Sequence, residues 1–386
     1  MTTTTPHTPP PAADIQDVCP ATLVTIPSGG TAYLVSRHNE ALQVLSDPLF
    51  SRQEVFRTQG TNYTGPGASS TGDMLLDMDP PQHSRIRGLV AKAFSRRRVE
   101  AMRPGVQQIL DGLLTDLAAQ GPPADLVEKL CLPLPITVVC QLLGVSYDDR
   151  EWFQERSYIL ASTVDTPETK LRAVNELRAY LTEIIAEKRR SPKDDLISEL
   201  VSARAEERLS EEELINLSVL LLPAGYETTA NQITKSLFAL LEVPDEYAAL
   251  CANPAGVPAA SEELMRLHPS VLTPGFRVAT KDVAVGEVTI PAGSLVIVSD
   301  ALANRDPEIF ECPQDMDLRR RENPHLAFGH GLHFCLGAAL ARVELEVVMT
   351  GLVTRFPGLR FAVEPDTIRW HTQRRFRGPS ELPVTW

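Results

Sequence analysis

The chain has 386 residues, of which 43% are apolar and 23% charged, and these ordinary globular values exclude a disordered or collagen-like protein. Its formal net charge of −13 predicts a surface that repels nucleic acid, so no nucleic-acid partner is expected. Six cysteines without a Cys-x-x-Cys pair argue against a disulfide framework or a zinc ribbon and indicate reduced, intracellular thiols.

The amino-terminal segment, MTTTTPHTPPPAAD, is rich in threonine and proline and lacks the basic start and apolar centre of a signal peptide. We expect residues 1–14 to be a disordered lead. No stretch approaches the roughly 20 apolar residues that span a bilayer, so a soluble, cytoplasmic protein without a membrane partner is predicted. Length alone favours two or three domains, but no linker or repeat divides the rest, and residues 15–386 are expected to form one domain.

The first elements are extended. Residues 22–26 and 31–35 are β-branched runs on either side of Pro-Ser-Gly-Gly, which predicts a hairpin. Ser36 has the character of an N-cap for a short helix that ends near Leu45. Residues 58–72 are rich in glycine, serine and threonine and predict a mobile loop, a type of segment that often carries function.

Helices dominate from residue 81 to about residue 241. Four leucines mark one helical face: Leu110, Leu113, Leu114 and Leu117. Ser210 and Glu213 form a capping box, which begins a helix that ends near Leu241. This helix would be roughly 48 Å long. Because its own residues are apolar around much of its surface, a buried position at the centre of the fold is predicted.

The rest of the chain mixes both element types. In order, the pattern predicts a helix over 261–267, strand-like segments over 283–288 and 295–298, an irregular stretch over 307–326, a helix over 337–354 and short final strands. The fold class predicted from this order is mainly α with small β-sheets, an α+β arrangement.

The most specific feature is Phe-Gly-His-Gly-Leu-His-Phe-Cys-Leu-Gly at residues 328–337. Cys335 lies where a glycine-punctuated loop becomes a helix, and a helix N-terminus favours a thiolate. The spaced glycines Gly329, Gly331 and Gly337 allow the backbone to approach a flat or bulky group closely. A thiolate beside such a clearance suits a haem iron.

Two other interpretations of Cys335 exist. A buried small hydrophobic side chain is the ordinary role of a lone cysteine, and we expect it for the other five. Zinc is the second, because His325, His330 and His333 are close in sequence. Their spacing matches no zinc pattern, and zinc would leave the glycines unexplained.

The same segment resembles the Phe-Gly-x-Gly-x-His-x-Cys-x-Gly haem signature of the cytochrome P-450 monooxygenases, with every specified position filled. The resemblance implies a single large, triangular, helical fold around a buried haem b, with a long central helix. It implies Cys335 as the iron ligand, O2 as co-substrate, and haem contacts from Phe328, Gly329, His333 and Gly337. Three further family motifs occur in the same order and extend the resemblance from about residue 20 to residue 386.

Glu263 and Arg266 resemble the first of these motifs, Glu-x-x-Arg. A spacing of three places both side chains on one helical face, where they can pair. Alone, the pair would be an ordinary surface salt bridge. By resemblance it is a buried pair that braces the irregular stretch before the cysteine loop, joined by Arg320, with Met316 standing where the family has an aromatic residue.

Residues 224–229, Ala-Gly-Tyr-Glu-Thr-Thr, resemble the oxygen-binding site of the family's central helix. The resemblance implies haem contact by Ala224, room for an iron ligand at Gly225, and Glu227 and Thr228 as the catalytic pair that passes protons. The residues alone also allow Thr228 to bond back to an upstream carbonyl. Pro223 predicts a kink or a local unwinding of the helix.

Residues 79–87, Asp-Pro-Pro-Gln-His-Ser-Arg-Ile-Arg, resemble a family motif at the start of a helix. His83 and Arg87 are four residues apart, and both can donate to a carboxylate. The resemblance implies that they bind the haem propionates together with Arg277 and His333. Taken singly, each would be a solvated surface charge, but four donors at matching motif positions favour binding.

The resemblance also implies an apolar substrate pocket lined by Leu76, Leu220, Ala224, Thr273 and Phe376. Its substrate is expected to be a hydrophobic, natural-product-like small molecule, with the 58–72 loop as a lid. Gln373, Arg374 and Arg375 are unusually polar for the last pocket segment. We expect them to face solvent, the alternative being a substrate with an acidic or strongly polar group.

Electrons are expected from a separate protein, because 386 residues leave no room for a fused reductase. Six basic residues and no acidic one occur between positions 85 and 98: Arg85, Arg87, Lys92, Arg96, Arg97 and Arg98. Arg319, Arg320, Arg321 and Arg342 add to them. This local charge predicts docking of an acidic ferredoxin, or of a flavodoxin as second choice, with its NAD(P)H reductase. A solvated face is the alternative for any one residue.

The implied reaction is hydroxylation by a monooxygenase, because a thiolate ligand on haem favours O–O cleavage. Oxidative cyclisation, epoxidation and C–C or C–N coupling remain open alternatives that share the same cofactor. A haem-binding sensor or scaffold partner is the non-enzymatic alternative. The presence of Cys335 together with Glu227 and Thr228 counts against it.

Overall fold

The computed structural model describes residues 20–26, 30–58, 73–206, 208–271 and 275–386. The helices in these ranges are α1 (His38–Ser46), α2 (Gln53–Thr58), α3 (Gln82–Val90), α4 (Arg96–Gln120), α5 (Pro133–Leu143), α6 (Arg150–Ala161), α7 (Pro167–Arg190), α8 (Leu196–Ala205), α9 (Glu211–Leu241), α10 (Pro244–Ala252), α11 (Val257–Leu267), α12 (Asp300–Ala303) and α13 (Ala338–Arg355). The strands are β1 (Ala21–Thr25), β2 (Thr31–Val35), β3 (Phe50–Ser51), β4 (Ala124–Asp125), β5 (Phe276–Ala279), β6 (Val283–Val285), β7 (Val288–Ile290), β8 (Leu295–Val298), β9 (Arg360–Phe361) and β10 (Pro383–Thr385). The mainly α architecture with small sheets is confirmed. The expected lead (1–14), nearly all of the expected lid (59–72) and Thr273 lie outside the described residues.

The largest sheet described has the order β1-β2-β8-β5-β3. The predicted hairpin is present as β1 and β2, and β2 pairs in parallel with β8. A second sheet has the order β4-β10-β9, and β6 pairs with β7 alone. The prediction of one strand over 283–288 is wrong, because Gly286 adopts φ +55° and turns the chain between β6 and β7.

The N-terminus of α1 shows a cap that local sequence could not supply. The helix begins at His38 with Arg37 as its N-cap, so Ser36 is not the cap. The backbone N–H of His38 instead donates to Oδ2 of Asp306 at 2.8 Å. A carboxylate distant in sequence therefore satisfies one of the free N–H groups of this helix.

The long helix α9 is the central element of the interior. Its predicted capping box is confirmed, and its 31 residues give a length of about 46 Å. Twenty-two of those residues are buried. The first half of α9 shares a core with α5, α7 and α8, and the second half shares one with α4, α11 and α13. The helix is continuous through Pro223, so the predicted local unwinding is absent, whereas the kink stays a prediction.

A buried ion pair braces the irregular stretch, as the motif implied. Glu263 and Arg266 are both fully buried, and Arg266 donates to Glu263 through Nε (2.8 Å) and Nη2 (2.7 Å). Arg320 donates to the same carboxylate at 3.1 Å. Arg266 also donates to the carbonyls of Asn304 (2.8 Å) and Pro313 (2.7 Å). One guanidinium group thus holds α11 and the irregular segment together.

Within the described part of the chain, no helix combines the length and the apolar character that a membrane span requires. The five cysteines that are described there, Cys131, Cys140, Cys251, Cys312 and Cys335, form no disulfide with one another.

Candidate active site around Cys335

Cys335 lies between a 3₁₀ turn and the start of α13, as the glycine-punctuated segment predicted. Its backbone N–H donates to the carbonyl of Phe328 at 2.9 Å, which closes the loop. The thiol keeps accessible surface. Surrounding protein nevertheless desolvates it and raises its pKa, although the Gly337 N–H and the charges of Arg87 and Arg342 act in the opposite direction. The Gly337 N–H at the helix start thus favours the thiolate, as predicted, while burial acts against it.

The glycines of the loop serve different purposes. Gly329 and Gly331 have φ values of +68° and +69°, which other residues rarely adopt. A Cβ on Gly331 would lie 2.4 Å from the carbonyl oxygen of Leu45, so this glycine allows the loop to approach α1. A Cβ on Gly337 would meet no described atom within 4 Å, and this position leaves the clearance that the motif implied.

Four predicted donors, together with one that the prediction missed, gather beside the loop. The His83 and His333 rings lie 4.3 Å apart. Burial and, after it, the charges of Arg52, His83, Arg277 and Arg87 together lower the pKa of His333 to about 2. Arg52 carries no motif signal in the sequence. It joins the group because α2 lies against β5, which carries Arg277.

The buried donors of this cluster fit the carboxylates of a haem. His83 is 1% exposed and Arg277 is 2% exposed. Both ring nitrogens of His83 and Nη1 of Arg277 have no hydrogen-bond partner among the described residues. Because buried polar groups in proteins are almost always paired, these donors call for an acidic ligand. The propionate groups of a haem would fit this requirement.

The donors considered for zinc are held apart. His325 is hydrogen-bonded to Glu262 at 3.1 Å, whereas His333 faces His83. The described residues contain no group of three or more histidine, cysteine, aspartate or glutamate side chains that could hold a metal ion. The residues around Cys335 therefore suit haem better than zinc.

Phe328 is contacted by Arg342, a residue that the sequence analysis placed on a docking surface. Arg342 lies over the Phe328 ring, 4.5 Å from its centre, and donates to Glu262 at 2.7 and 3.0 Å. Burial alone would raise the pKa of Glu262, but bonds from His325 and Arg342 hold it at about 2. Arg342 therefore supports the cysteine loop, and its expected place on a docking surface stays a prediction.

One side of α9 faces accessible space. Leu220, Ala224 and Thr228 follow one another at intervals of four, and all three keep accessible surface in a mostly buried helix. We call them the α9 stripe. The Thr228 hydroxyl donates to the Ala224 carbonyl at 2.7 Å, the alternative that the residues alone allowed. A Cβ on Gly225 would lie 3.0 Å from Cγ2 of Val139, so this glycine allows α5 to approach α9, and its expected place beside an iron ligand stays a prediction.

Glu227 is a buried carboxyl next to the stripe. It is 6% exposed, and its Oε1 has no partner among the described residues. Burial raises its pKa to about 7, although the charge of Arg374 acts to lower it. A carboxyl with a pKa near neutrality can both hold and release a proton at physiological pH.

The remaining predicted pocket residues are more dispersed. Leu76 lies on a 3₁₀ turn and is 47% exposed. Phe376 lines a cavity that also contains Glu227. Gln373 is exposed as expected, but Arg374 is half-buried with its guanidinium 3.7 Å from the centre of the Tyr158 ring. The expectation that Arg374 faces solvent is wrong.

Comparison with known proteins gives concordant results. The family model described as Cytochrome P450 matches residues 33–253 and 257–374. Nocardicin C N-oxygenase of Nocardia uniformis subsp. tsuyamanensis is 47% identical, over 95% of this chain and 92% of that protein. Mycinamicin IV hydroxylase/epoxidase of Micromonospora griseorubida is 42% identical, over 97% and 94%. The crystal structure of the LnmA cytochrome P450 hydroxylase of Streptomyces atroolivaceus S-140 superposes with a TM-score of 0.90 at 41% identity and covers 99% of this chain and 97% of that one.

Proposed function

Since this chain belongs to the cytochrome P450 family and is a haem monooxygenase, we propose that Cys335 is the ligand of its haem iron and that the haem is haem b. The family implies the use of O2, a small-molecule substrate and redox partners. When bound through a thiolate, the haem supplies the activation of O2 for insertion of one oxygen atom into the substrate. The protein supplies the ligand, the proton donor and the orientation of the substrate.

The observation that carries this proposal is the set of buried donors beside the cysteine loop. The ring nitrogens of His83 and Nη1 of Arg277 have no partner among the described residues, and they suit the propionates of a haem. His333 lies beside them, and the charges of Arg52, Arg87 and Arg277 act on it. Charge-assisted hydrogen bonds from such donors are stronger than neutral ones and fix the orientation of a ligand. We therefore assign haem binding to this group, and haem contact to Phe328, Gly329, Gly337 and Ala224.

Glu227 and Thr228 are proposed as the proton-transfer pair. Glu227 holds a proton near neutral pH because burial raises its pKa to about 7. Thr228 presents its hydroxyl on the accessible α9 stripe, one residue further along the helix. The proposed transfer is from the buried carboxyl of Glu227 to the hydroxyl of Thr228.

The test of the iron ligand is the absorption spectrum of the reduced, carbon monoxide-bound protein. Purified protein loaded with haem should give the red-shifted Soret band of a thiolate-ligated haem. Cys335→Ser should lose this band, whereas Cys251→Ser, which changes a partly buried cysteine in α10, should keep it. Retention of the band by Cys335→Ser would remove the proposed ligand.

The proposed reaction is oxygen insertion, most simply hydroxylation, into a hydrophobic natural-product-like molecule. Two relatives are named for N-oxygenation of nocardicin C and for hydroxylation or epoxidation of mycinamicin IV. Leu220 and Ala224 offer an apolar surface to such a substrate, and Leu76, Thr273 and Phe376 are proposed to complete the pocket. Titration with nocardicin C and mycinamicin IV, read as a haem spin-state change and followed by product mass, tests this proposal. Products that lose hydrogen without gaining oxygen would instead favour cyclisation or coupling.

The proposed electron donor is a ferredoxin, with a flavodoxin as second choice, and its NAD(P)H reductase. The structure narrows the predicted basic surface, because several of its arginines have internal partners. Arg85 pairs with Glu213, Arg98 pairs with Glu199, and Arg87 donates to the carbonyl of Phe334. Lys92, Arg96 and Arg97 are exposed and form no ion pair with another described residue. These three residues are the proposed docking patch.

Charge reversal tests the patch. The triple variant Lys92→Glu, Arg96→Glu, Arg97→Glu should slow haem reduction by a plant-type ferredoxin, and the loss should shrink as salt rises, because steering by exposed charges is screened. Arg172→Glu, an exposed arginine of α7, is the control. Equal reduction rates for the triple variant and the control at low salt would refute docking at this patch.

A further inference from the structure

A cavity of about 120 Å³ lies beside the α9 stripe. Four parts of the fold contribute to its lining: α9, α6, the π-helical turn Val127–Cys131 with the residue after it, and the C-terminal segment from 371 to 380. Its polar lining residues are Tyr158, Glu227, Asn231, Thr234, His371, Arg374 and Ser380. Glu227 lines this cavity and directly precedes Thr228 of the stripe along α9.

The size and lining of the cavity suit water. One water molecule occupies about 30 Å³ in the liquid, so the cavity can hold about four. Ordered water in protein interiors needs two to four polar partners, and the lining offers hydroxyl, amide, imidazole and carboxyl groups. Oε1 of Glu227 is buried and has no partner among the described residues, so water in the cavity can satisfy it.

Arg374 lies on the opposite wall and is held from two sides. Its guanidinium carbon is 3.7 Å from the centre of the Tyr158 ring, and Nη1 is 3.5 Å from Nε2 of His371. The Tyr158 hydroxyl is in turn 3.2 Å from that of Tyr226. Arg374 and His371 are partly accessible, whereas Glu227 is 6% exposed. The polar lining thus connects a partly accessible rim with a buried acid.

We propose that this cavity is the water-filled route by which protons reach Glu227, and that Arg374 is the positioning residue that orients its water. The inference rests on the proposed role of Glu227 in proton transfer. In each turnover one oxygen atom of O2 enters the substrate and the other leaves as water, with two electrons from the redox partner and two protons from solvent. Glu227 gives up a proton towards Thr228 and recovers one from cavity water, so its own charge is restored.

The positive charge of Arg374 lowers the pKa of Glu227. The other titratable side chains that face it are His371 from the C-terminal segment, Tyr158 from α6 and Tyr226 from α9 itself. Burial and the charge of Arg374 lower the pKa of His371 to about 4, and burial raises the pKa of Tyr226. Both are therefore neutral at pH 7, and Arg374 remains the cation whose charge lowers the pKa of Glu227.

The first test measures the protonation of Glu227 itself in the haem-loaded protein. Infrared difference spectra against Glu227→Gln identify the carboxyl band, and its intensity is followed with pH. Arg374→Gln should shift the titration upward, because a cation that favours the ionised carboxylate has been removed. Arg374→Lys keeps the charge and should restore most of the shift. Arg369→Gln, which changes an exposed side chain two residues before that segment, should leave the titration unchanged.

The second test measures proton supply with O2 as the only probe. A surrogate ferredoxin and its reductase reduce the protein without added substrate, and O2 uptake and peroxide release are recorded in light and heavy water. Arg374→Gln should slow reduction of O2 to water about tenfold, which is less than the roughly 10²–10⁴-fold contribution of a proton donor itself, and should enlarge the solvent isotope effect. Ala230→Leu, which fills the cavity with apolar volume and leaves Arg374 in place, should do the same.

These tests distinguish failure of the inference from failure of the proposed function. The role of Arg374 would be overturned by the following pair of results. The wild-type protein reduces O2 normally, and Arg374→Gln keeps both the infrared titration and the isotope effect of the wild type. A folded Ala230→Leu variant with unchanged water formation would overturn the route. Wild-type protein that binds haem but cannot reduce O2 would instead refute the function on which the inference rests.

Discussion

Replacement of Glu263 by glutamine is the sharpest test of how the fold supports its site. Oε2 of Glu263 accepts from Nε of Arg266, from Arg320 and from Asn323, while Oε1 accepts from Nη2 of Arg266 and from the N–H of Asp317. A glutamine NH2 group in either position would face donors and not acceptors. The substitution also leaves the fully buried Arg266 without its counter-charge.

The expected loss of stability follows from this arrangement. Breaking a buried pair by removing one partner costs about 3–5 kcal/mol. With an unfolding entropy of roughly 2.1 cal/mol/K per residue, a loss of about 4 kcal/mol in a chain of 386 residues lowers the melting temperature by about 5 °C. Haem retention should fall as well, because Arg266 and Arg320 hold the segment that leads into the cysteine loop.

The assay is urea unfolding of the haem-loaded protein, followed by circular dichroism and by Soret absorbance. Glu381→Gln is the matched control, because Glu381 pairs with Arg369 at 3.3 Å on the surface, where such a pair is worth about 0–1 kcal/mol. A Glu263→Gln variant whose free energy of unfolding stays within about 1 kcal/mol of the wild type, with haem retained, would show that the brace is dispensable.

Three further predictions concern single positions. Gly331→Ala should destabilise the protein by about 1–3 kcal/mol in denaturant titrations, because φ is +69° and the added Cβ would meet the carbonyl of Leu45. Gly225→Ala should lack the gain of roughly 0.5–1 kcal/mol that alanine normally brings inside a helix, because the new Cβ would lie 3.0 Å from Cγ2 of Val139, and its effect should be more favourable in a Val139→Ala background. For Glu227, whose pKa is raised from 4.5 to about 7, the folded state keeps its proton while the unfolded state ionises, so stability should fall between pH 4.5 and 7. Glu227→Gln should flatten this pH dependence of the unfolding free energy.

Each of these has a matched comparison. Gly112→Ala changes a helical glycine of α4 whose Cβ would meet no described atom within 4 Å, and it should stabilise by roughly 0.5–1 kcal/mol. If Gly331→Ala were as harmless as Gly112→Ala, the close approach of the loop to α1 would be wrong. Additive effects in the Gly225→Ala, Val139→Ala pair would contradict their contact, and an unchanged pH slope in Glu227→Gln would contradict the raised pKa.

The sequence by itself determined the features that depend on near neighbours. The capping box of Ser210 and Glu213 set the start of α9, because both bonds join residues three apart. The spacing of Glu263 and Arg266 placed them on one face of α11 for the same reason. The glycine-punctuated loop that ends at Cys335 was predicted because positive φ values and a tight turn leave a local signature.

Only the tertiary structure decided which distant residues meet. Arg342 pairs with Glu262 and lies over Phe328, and Arg374 lies over Tyr158, because neighbouring elements offer a carboxylate and aromatic faces there. The missing side chain of Gly225 serves the approach of α5, and His38 takes its cap from Asp306. Spacing along the chain carries no information on such pairs, since they depend on which helix faces meet when the core is packed.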